Sequence, residues 1–281
     1  MRQTLDSVRI ATQDEKVRED ILRRVLRLCA EIDLHSNPPA MAQKIHGLIH
    51  RMTGVEDPYL DIKNHCNKLA LQMYRQLKER VSSSAKPLET AVRLAIAGNI
   101  IDFGVNSHLS MQQVEQTIAE SLEAPLDIQT VNAFEAAVSE ADRILYLGDN
   151  AGEIVFDRLL LEELAKEKIT FVVKACPIIN DATMEDAQIT GLTDIVRVID
   201  NGSAAPGTIL EDCSPQFRRR FDEADLIIAK GQGNYETLSD VEKDIFFVLK
   251  AKCRVAARHL GCNVGDLVLV RSKVRATARE R

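Results

Sequence analysis

The stretch Arg143-Ile-Leu-Tyr-Leu-Gly-Asp-Asn-Ala-Gly-Glu153 decides the fold. Ile144, Leu145, Tyr146 and Leu147 form an uninterrupted apolar run that ends in Gly148-Asp149, the pattern of a short buried strand running into a turn. The spacing then becomes helical over 151–166. Further apolar runs follow at 169–175, 194–200, 226–231, 244–251 and 266–271, with a second helical stretch at 181–190. Strands alternating with helices predict an α/β fold, a Rossmann-like, mostly parallel sheet flanked by helices.

Upstream of Ala141 the apolar residues keep helical spacing. One stripe is Val17, Ile21, Val25, Cys29 and Ile32; a second, Met41 to Met52, closes at Gly54. Asp57-Pro58 reads as a helix start with a cap and a first-turn proline, followed by the stripe Ile62, Cys66, Leu69, Met73, Leu77. Leu88, Val92 and Ile96 mark a fourth helix, Ser110 with Gln113 a capping-box start for a fifth, and Val131, Phe134 and Val138 a sixth. The expected division is an all-helical domain over 1–140 and an α/β domain over 141–281.

The chain has 281 residues, 45% hydrophobic and 28% charged, with a net charge of −6. It can bury a core without disulfides or a structural metal. The acidic balance and the lack of a basic stripe argue against nucleic acid as a partner. No apolar run approaches the ~18 residues of a membrane span. Six cysteines without Cys-x-x-Cys spacing suggest a reducing, cytoplasmic setting and small buried hydrophobes.

In an open α/β sheet, ligands bind beyond the carboxyl ends of the strands. Those ends carry Gly148, Asp149, Asn150, Gly152 and Glu153; Asn180 and Asp181; Asp200, Asn201 and Ser203; and Lys230, Gly231, Gln232, Gly233, Asn234 and Glu236. Asn150 with Glu153, and Asp181 alone, also suit plain helix caps. As a group, Asp149, Asn150 and Asp181 suit a hard divalent cation such as Mg²⁺ or Mn²⁺, if the first two strands are neighbours. The adjoining helix N-terminus favours a phosphate. Lys230 and the glycines beside it suit pairing with phosphate oxygens. In the helical half, Gly98-Asn99-Ile-Ile-Asp102-Phe-Gly104 reads as a glycine-capped helix end or as a corner closing over the strand ends. His46 and His50 lack the third ligand of a zinc site. There is no G-x-G-x-x-G after the first strand, no phosphate-binding G-x-x-x-x-G-K-[ST] and no G-x-S-x-G elbow. Ala151 stands where an aspartyl-phosphate phosphatase carries its second Asp, which favours a metal-holding over an attacking Asp149.

The segments 147–157, 178–183 and 230–238, together with Asp57-Pro-Tyr59, Ile62-Lys63 and Gly98 to Gly104, resemble the signatures of the damage-control phosphatase family, also called domain of unknown function 89. The resemblance runs over nearly the whole chain and points to the small stand-alone prokaryotic type. Members of that branch often begin with a Cys-x-x-Cys segment, and Met1-Arg-Gln-Thr-Leu matches the helix that follows it. The resemblance implies a helical domain packed on an α/β core. It implies a divalent cation (Mg²⁺, Mn²⁺, Co²⁺ or Ni²⁺) on Asp149, Asn150 and Asp181, and a phosphate pocket with Lys230, Asn234 and Glu236. The implied activity is hydrolysis of phosphate monoesters of small metabolites, such as sugar phosphates or phosphopantetheine-like compounds, in a house-cleaning role. The expected catalytic residues are then Asp149, Asp181 and Lys230, with Glu153, Asn180, Gly231, Asn99 and Asp102 also facing substrate. Two other classes stay open at this stage: an S-adenosylmethionine-dependent carboxyl methyltransferase and a non-catalytic metabolite-binding protein.

Overall fold

The computed structural model describes residues 2–33, 36–101 and 111–272. Seven helices come first: α1 (Arg2–Ala11), α2 (Glu15–Ala30), α3 (Pro38–Thr53), α4 (Leu60–Ser82), α5 (Pro87–Ala97), α6 (Met111–Glu123) and α7 (Ile128–Glu140). The α/β half follows as β1 (Ile144–Leu147), α8 (Glu153–Glu162), β2 (Ile169–Val173), α9 (Met184–Ile189), β3 (Arg197–Asp200), α10 (Pro215–Glu223), β4 (Leu226–Lys230), α11 (Gly231–Leu238), β5 (Ile245–Lys250), α12 (Arg254–Leu260) and β6 (Leu267–Arg271). The sheet order is β3-β2-β1-β4-β5-β6, parallel except for β6, which runs antiparallel to β5. The first two strands are neighbours, as the metal expectation required.

Local chemistry sets the helix ends. Asp14 and Asp127 cap α2 and α7 with their side chains, and Gly54 closes α3 in the left-handed region at φ +70°. The expected cap at Asp57 is corrected: α4 begins at Leu60, because the Asp57 carboxylate turns back to Tyr59 N (2.9 Å) and pairs with Lys63 Nζ (2.7 Å). Gly98 caps nothing. It opens a 3₁₀ turn (Gly98–Ile101) with helical φ, and a Cβ there would lie 2.7 Å from Phe156 Cβ, so glycine permits close packing of α5 on α8. Ser110 and Asp102 lie outside the described residues.

Period-two alternation splits the strands between two cores. Tyr146, Phe171, Ile228, Phe246 and Val248 face α4 to α8, sharing one cluster with Met73, Leu94, Phe134 and Phe156. Leu145, Ile227, Phe247 and Leu249 face the other way, onto Phe217 and Phe221 of α10 and Tyr235 and Leu238 of α11. A third, small cluster (Val8, Ala11, Ile21, Val25 and Ile49) joins α1 to α3. Helices from the first half thus complete the main core of the second. Cysteines depart from expectation: Cys66 and Cys213 are buried, while Cys29, Cys253 and Cys262 are partly exposed and Cys176 is exposed.

Phe134 is fully buried, with its ring edge-on to Phe246 at 5.2 Å between centroids. Phe134→Ala should cost ~3–5 kcal/mol. Urea unfolding followed by circular dichroism should show one earlier transition, because the helical layer and the sheet share that core.

Candidate functional site

The strand order reverses between β1 and β4, and the crevice at their carboxyl ends is the expected ligand position. Asp149 leaves β1 and Gly231 leaves β4 at this point. Gly231 has φ +77°, and a Cβ on it would lie 2.0 Å from Asp149 Oδ2. Glycine at the mouth of β4 is therefore what allows the Asp149 carboxylate its place.

Backbone bonds tie the β1 and β2 loops together. Ala182 N donates to Asp149 O and Ala151 N to Asn180 O, each at 2.8 Å, and Asn150 forms an antiparallel bridge pair with Asp181. Asn150 and Asp181 thus stand opposite one another, 4% exposed each. Asn150 Nδ2 donates to Asp149 Oδ2 (2.9 Å) and Glu153 Oε2 (3.1 Å), so its carbonyl oxygen points away from both. Asn99 Nδ2 reaches the same two carboxylates at 3.4 and 3.0 Å, which places the α5 corner over the strand ends.

Neither loop residue is a helix cap. α8 starts from Gly152 and α9 from Thr183, whose N–H and Oγ1 both donate to Asp186 Oδ2. Two of the amides at the α8 N-terminus are already engaged: Ala151 N by Asn180 O and Gly152 N by Asn67 Oδ1 (2.7 Å).

Lys230 departs most from its expected role. Its Nζ is fully buried and donates to Ala95 O (2.8 Å), Glu153 Oε1 (2.6 Å) and Asp157 Oδ1 (2.6 Å). Three acceptors use all three N–H bonds, leaving none for a phosphate. Burial disfavours the Lys230 charge, but Asp157 and Glu153 outweigh it and hold the amine charged. Glu153 is 1% exposed and spent on Lys230, Asn99 and Asn150. Asn234 bonds Gly148 O (3.3 Å), Lys230 O (2.7 Å) and Thr208 Oγ1 (2.7 Å), bracing the two strand ends. Glu236 accepts from Gln232 Nε2 (2.7 Å), and burial raises its carboxyl above the usual range. Asn180 is 4% exposed and joins through its backbone. The Lys-Gly-x-Gly segment is the first turn of α11 rather than an open loop, with Gly233 packed on Gly207.

Other residues were given no site role from sequence. Lys174, one residue past β2 and 4% exposed, has its Nζ 3.6 Å from Asp181 Oδ2 and also donates to Gly207 O. Its ammonium thus stands beside a candidate ligand. Asn67 on α4 accepts from Gly152 N and donates to Asp186 Oδ1 (2.8 Å), while Lys63 pairs with Asp186 Oδ2 (3.2 Å). Asp57, Lys63 and Asn67 thus clamp the helical layer onto both loops. A lysine and an asparagine four apart on an apolar stripe were the available signal.

The donor chemistry fits a hard divalent cation. Among the described residues no three His, Cys, Asp or Glu side chains gather as a metal cage. The candidate set is instead two carboxylates with amide oxygens, suited to oxygen-seeking ions. Asn99 Oδ1 is buried beside Asp149 and has no hydrogen-bond partner among the described residues, an acceptor left over in the same crevice.

Fold and site together define a Rossmann-like α/β enzyme scaffold with oxygen donors gathered at the sheet's switch point. Residues 1–268 match the damage-control phosphatase ARMT1-like domain. A damage-control phosphatase of Archaeoglobus fulgidus is 38% identical over 267 residues, covering 92% of each chain. An uncharacterized protein of Methanocaldococcus jannaschii is 38% identical over 282 residues, covering 96% of this chain and 92% of that one. The crystal structure of a DUF89 family protein from Pyrococcus horikoshii superposes with a TM-score of 0.87 at 35% identity, over 97% of this chain and 95% of that one. The chain belongs to the damage-control phosphatase family, the one its motifs resembled. The fold class agrees with expectation, and the named relatives support a phosphatase.

Two outcomes follow from the geometry. Gly231→Ala combines positive φ with collision against Asp149, so it should cost ~1 kcal/mol or more and displace the carboxylate; urea unfolding and divalent-cation titration read the two effects. Burial pushes Asp157 up to about 6 from 3.8, partly opposed by Lys230. Between those values the folded state keeps a proton the unfolded state has lost, so this group makes stability fall as pH rises through the window. Asp157→Asn should flatten that part of the stability curve, measured by urea unfolding in steps from pH 4 to 7.

Proposed function

We propose that the protein is a metal-dependent phosphomonoesterase acting on small phosphorylated metabolites, with Asp149, Asn150 and Asp181 as the cation ligands. The observation that carries this reading is the Asn150–Asp181 bridge, which joins two oxygen-bearing strand ends beside the Asp149 carboxylate at the switch point. A bound divalent cation supplies Lewis acidity to a phosphoryl oxygen and a more acidic bound water.

The chain's own residues do the rest. Gly231 and the amides of Asn99 and Asn150 orient Asp149, and the β-bridge orients Asp181. Lys174, beside Asp181, contributes positive charge where the transferred group gains negative charge. Lys230 acts from behind. By holding Glu153 and Asp157 it keeps uncompensated carboxylate charge away from Asp149 and fixes β4 against α8. Glu153, Asn180, Asn234 and Glu236 brace the site. No helix among the described residues is long and apolar enough to cross a membrane.

Chelator-treated protein should release phosphate from a panel of phosphomonoesters when Mg²⁺, Mn²⁺, Co²⁺ or Ni²⁺ is restored singly. Asp149→Ala should lower kcat by ~10²-fold or more. Turnover near wild type in that variant, or equal turnover without metal, overturns the reading. Lys174→Met should lower kcat more than it raises KM.

A further inference from the structure

A second feature lies next to this site and the mechanism above does not use it. A cleft of about 1170 Å³ opens between α2, α3 and the 176–179 loop that leads into Asn180 and Asp181. Small-molecule sites usually span ~300–1,000 Å³, so the space exceeds what a simple phosphosugar fills. Its apolar lining includes Leu48, Ile49, Pro58, Tyr59, Pro177 and Ile178. Above this lining stand four basic side chains, Arg24 and Arg27 from α2 and Lys44 and Arg51 from α3. All four belong to exposed residues. None is in an ion pair or side-chain hydrogen bond among the described residues. The acidic residues on the same walls are Glu31, Glu56 and Asp57, and Asp57 is already held by Lys63. His46 also faces the cleft. Burial lowers it to about 4, so it is neutral near pH 7 and adds hydrogen-bonding capacity rather than charge.

Unpaired cations gathered in one cleft of a chain with net charge −6 need a charge-based explanation. Arginine forks and a lysine ammonium recognise phosphate or carboxylate oxygens. We propose that this cleft is a distal anion subsite, so that the preferred substrates are phosphomonoesters carrying a second anionic group, a phosphate or a carboxylate, across an uncharged body. This rests on the phosphatase reading for the transferred phosphate, while the subsite itself makes a separate claim about binding.

The test compares matched pairs: adenosine 3′,5′-bisphosphate against adenosine 3′-phosphate, and 4-carboxyphenyl phosphate against phenyl phosphate. With wild-type, metal-loaded protein, kcat/KM should be at least tenfold higher for the member with the second anion, mainly through KM. The advantage should shrink as salt is raised. The pair that shows the larger ratio tells phosphate from carboxylate recognition. In the variant Arg24→Gln, Arg27→Gln, Lys44→Gln, Arg51→Gln the ratio should fall toward one. Equal kcat/KM within both pairs, or a ratio insensitive to salt and to the variant, overturns the subsite. If no ester is hydrolysed, the phosphatase reading fails separately. Calorimetric titration with adenosine 3′,5′-bisphosphate then decides: salt-sensitive binding lost in the variant supports the subsite, and absence of binding overturns it. If the variant does not fold, the wild-type salt titration decides alone.

Discussion

Lys230 carries a full positive charge to a place without solvent, and much of the molecule is arranged around that fact. An ammonium in such surroundings is tolerable only when every N–H has an acceptor and opposite charge lies close. The three acceptors come from two elements: the α5 carbonyl of Ala95, and Glu153 and Asp157 one helical turn apart on α8. The end of β4 is thereby fastened to α8 and to the helical layer at one point. Asp157 also accepts from Tyr146 of β1 at 2.8 Å, which extends the fixture to the neighbouring strand. The other Glu153 oxygen takes hydrogen bonds from Asn99 and Asn150, so the same group reaches forward to Asp149. A buried lysine expected from sequence in the phosphate pocket works instead as the foundation of the site.

A second fixture, independent in sequence, bears on the same loops from the side. Asp186 receives Lys63, Asn67 and Thr183, and Asn67 also receives the Gly152 amide. Position along one helix, α4, sets both contacts. The oxygen donors at the carboxyl ends of the central strands are thus held from behind by α8 and from the side by α4. Such preorganisation is what electrostatic catalysis requires.

How far the sequence revealed this differs by level. β1, β2, β4 and β5 were legible because buried parallel strands read as short apolar runs, whereas β3 is half exposed and the antiparallel sense of β6 left no local trace. The clustering of Asp149, Asn150 and Asp181 was legible because it depends only on neighbouring strands in an open sheet. The partners of Lys230 were not, since they lie 135, 77 and 73 residues away along the chain. Its position after a strand suggested an exposed end, and nothing local distinguished a buried fork of acceptors from a waiting anion. Gly98 and Gly231 illustrate a related limit. Their neighbours suggested a cap and a flexible loop, whereas each allows a close approach by a group from another element, Phe156 in one case and Asp149 in the other.

The small core that joins α1, α2 and α3 has a consequence for diversification. Its five buried residues, Val8, Ala11, Ile21, Val25 and Ile49, belong to neither of the clusters that stabilise the sheet. Two of those helices, α2 and α3, furnish one wall of the wide cleft beside the strand-end loops. Substitutions that reshape this wall are therefore insulated from the packing that keeps the chemistry in register. A lineage built on this plan can exchange one clientele of compounds for another by altering a replaceable cheek, while the jaw that does the cutting stays as it was.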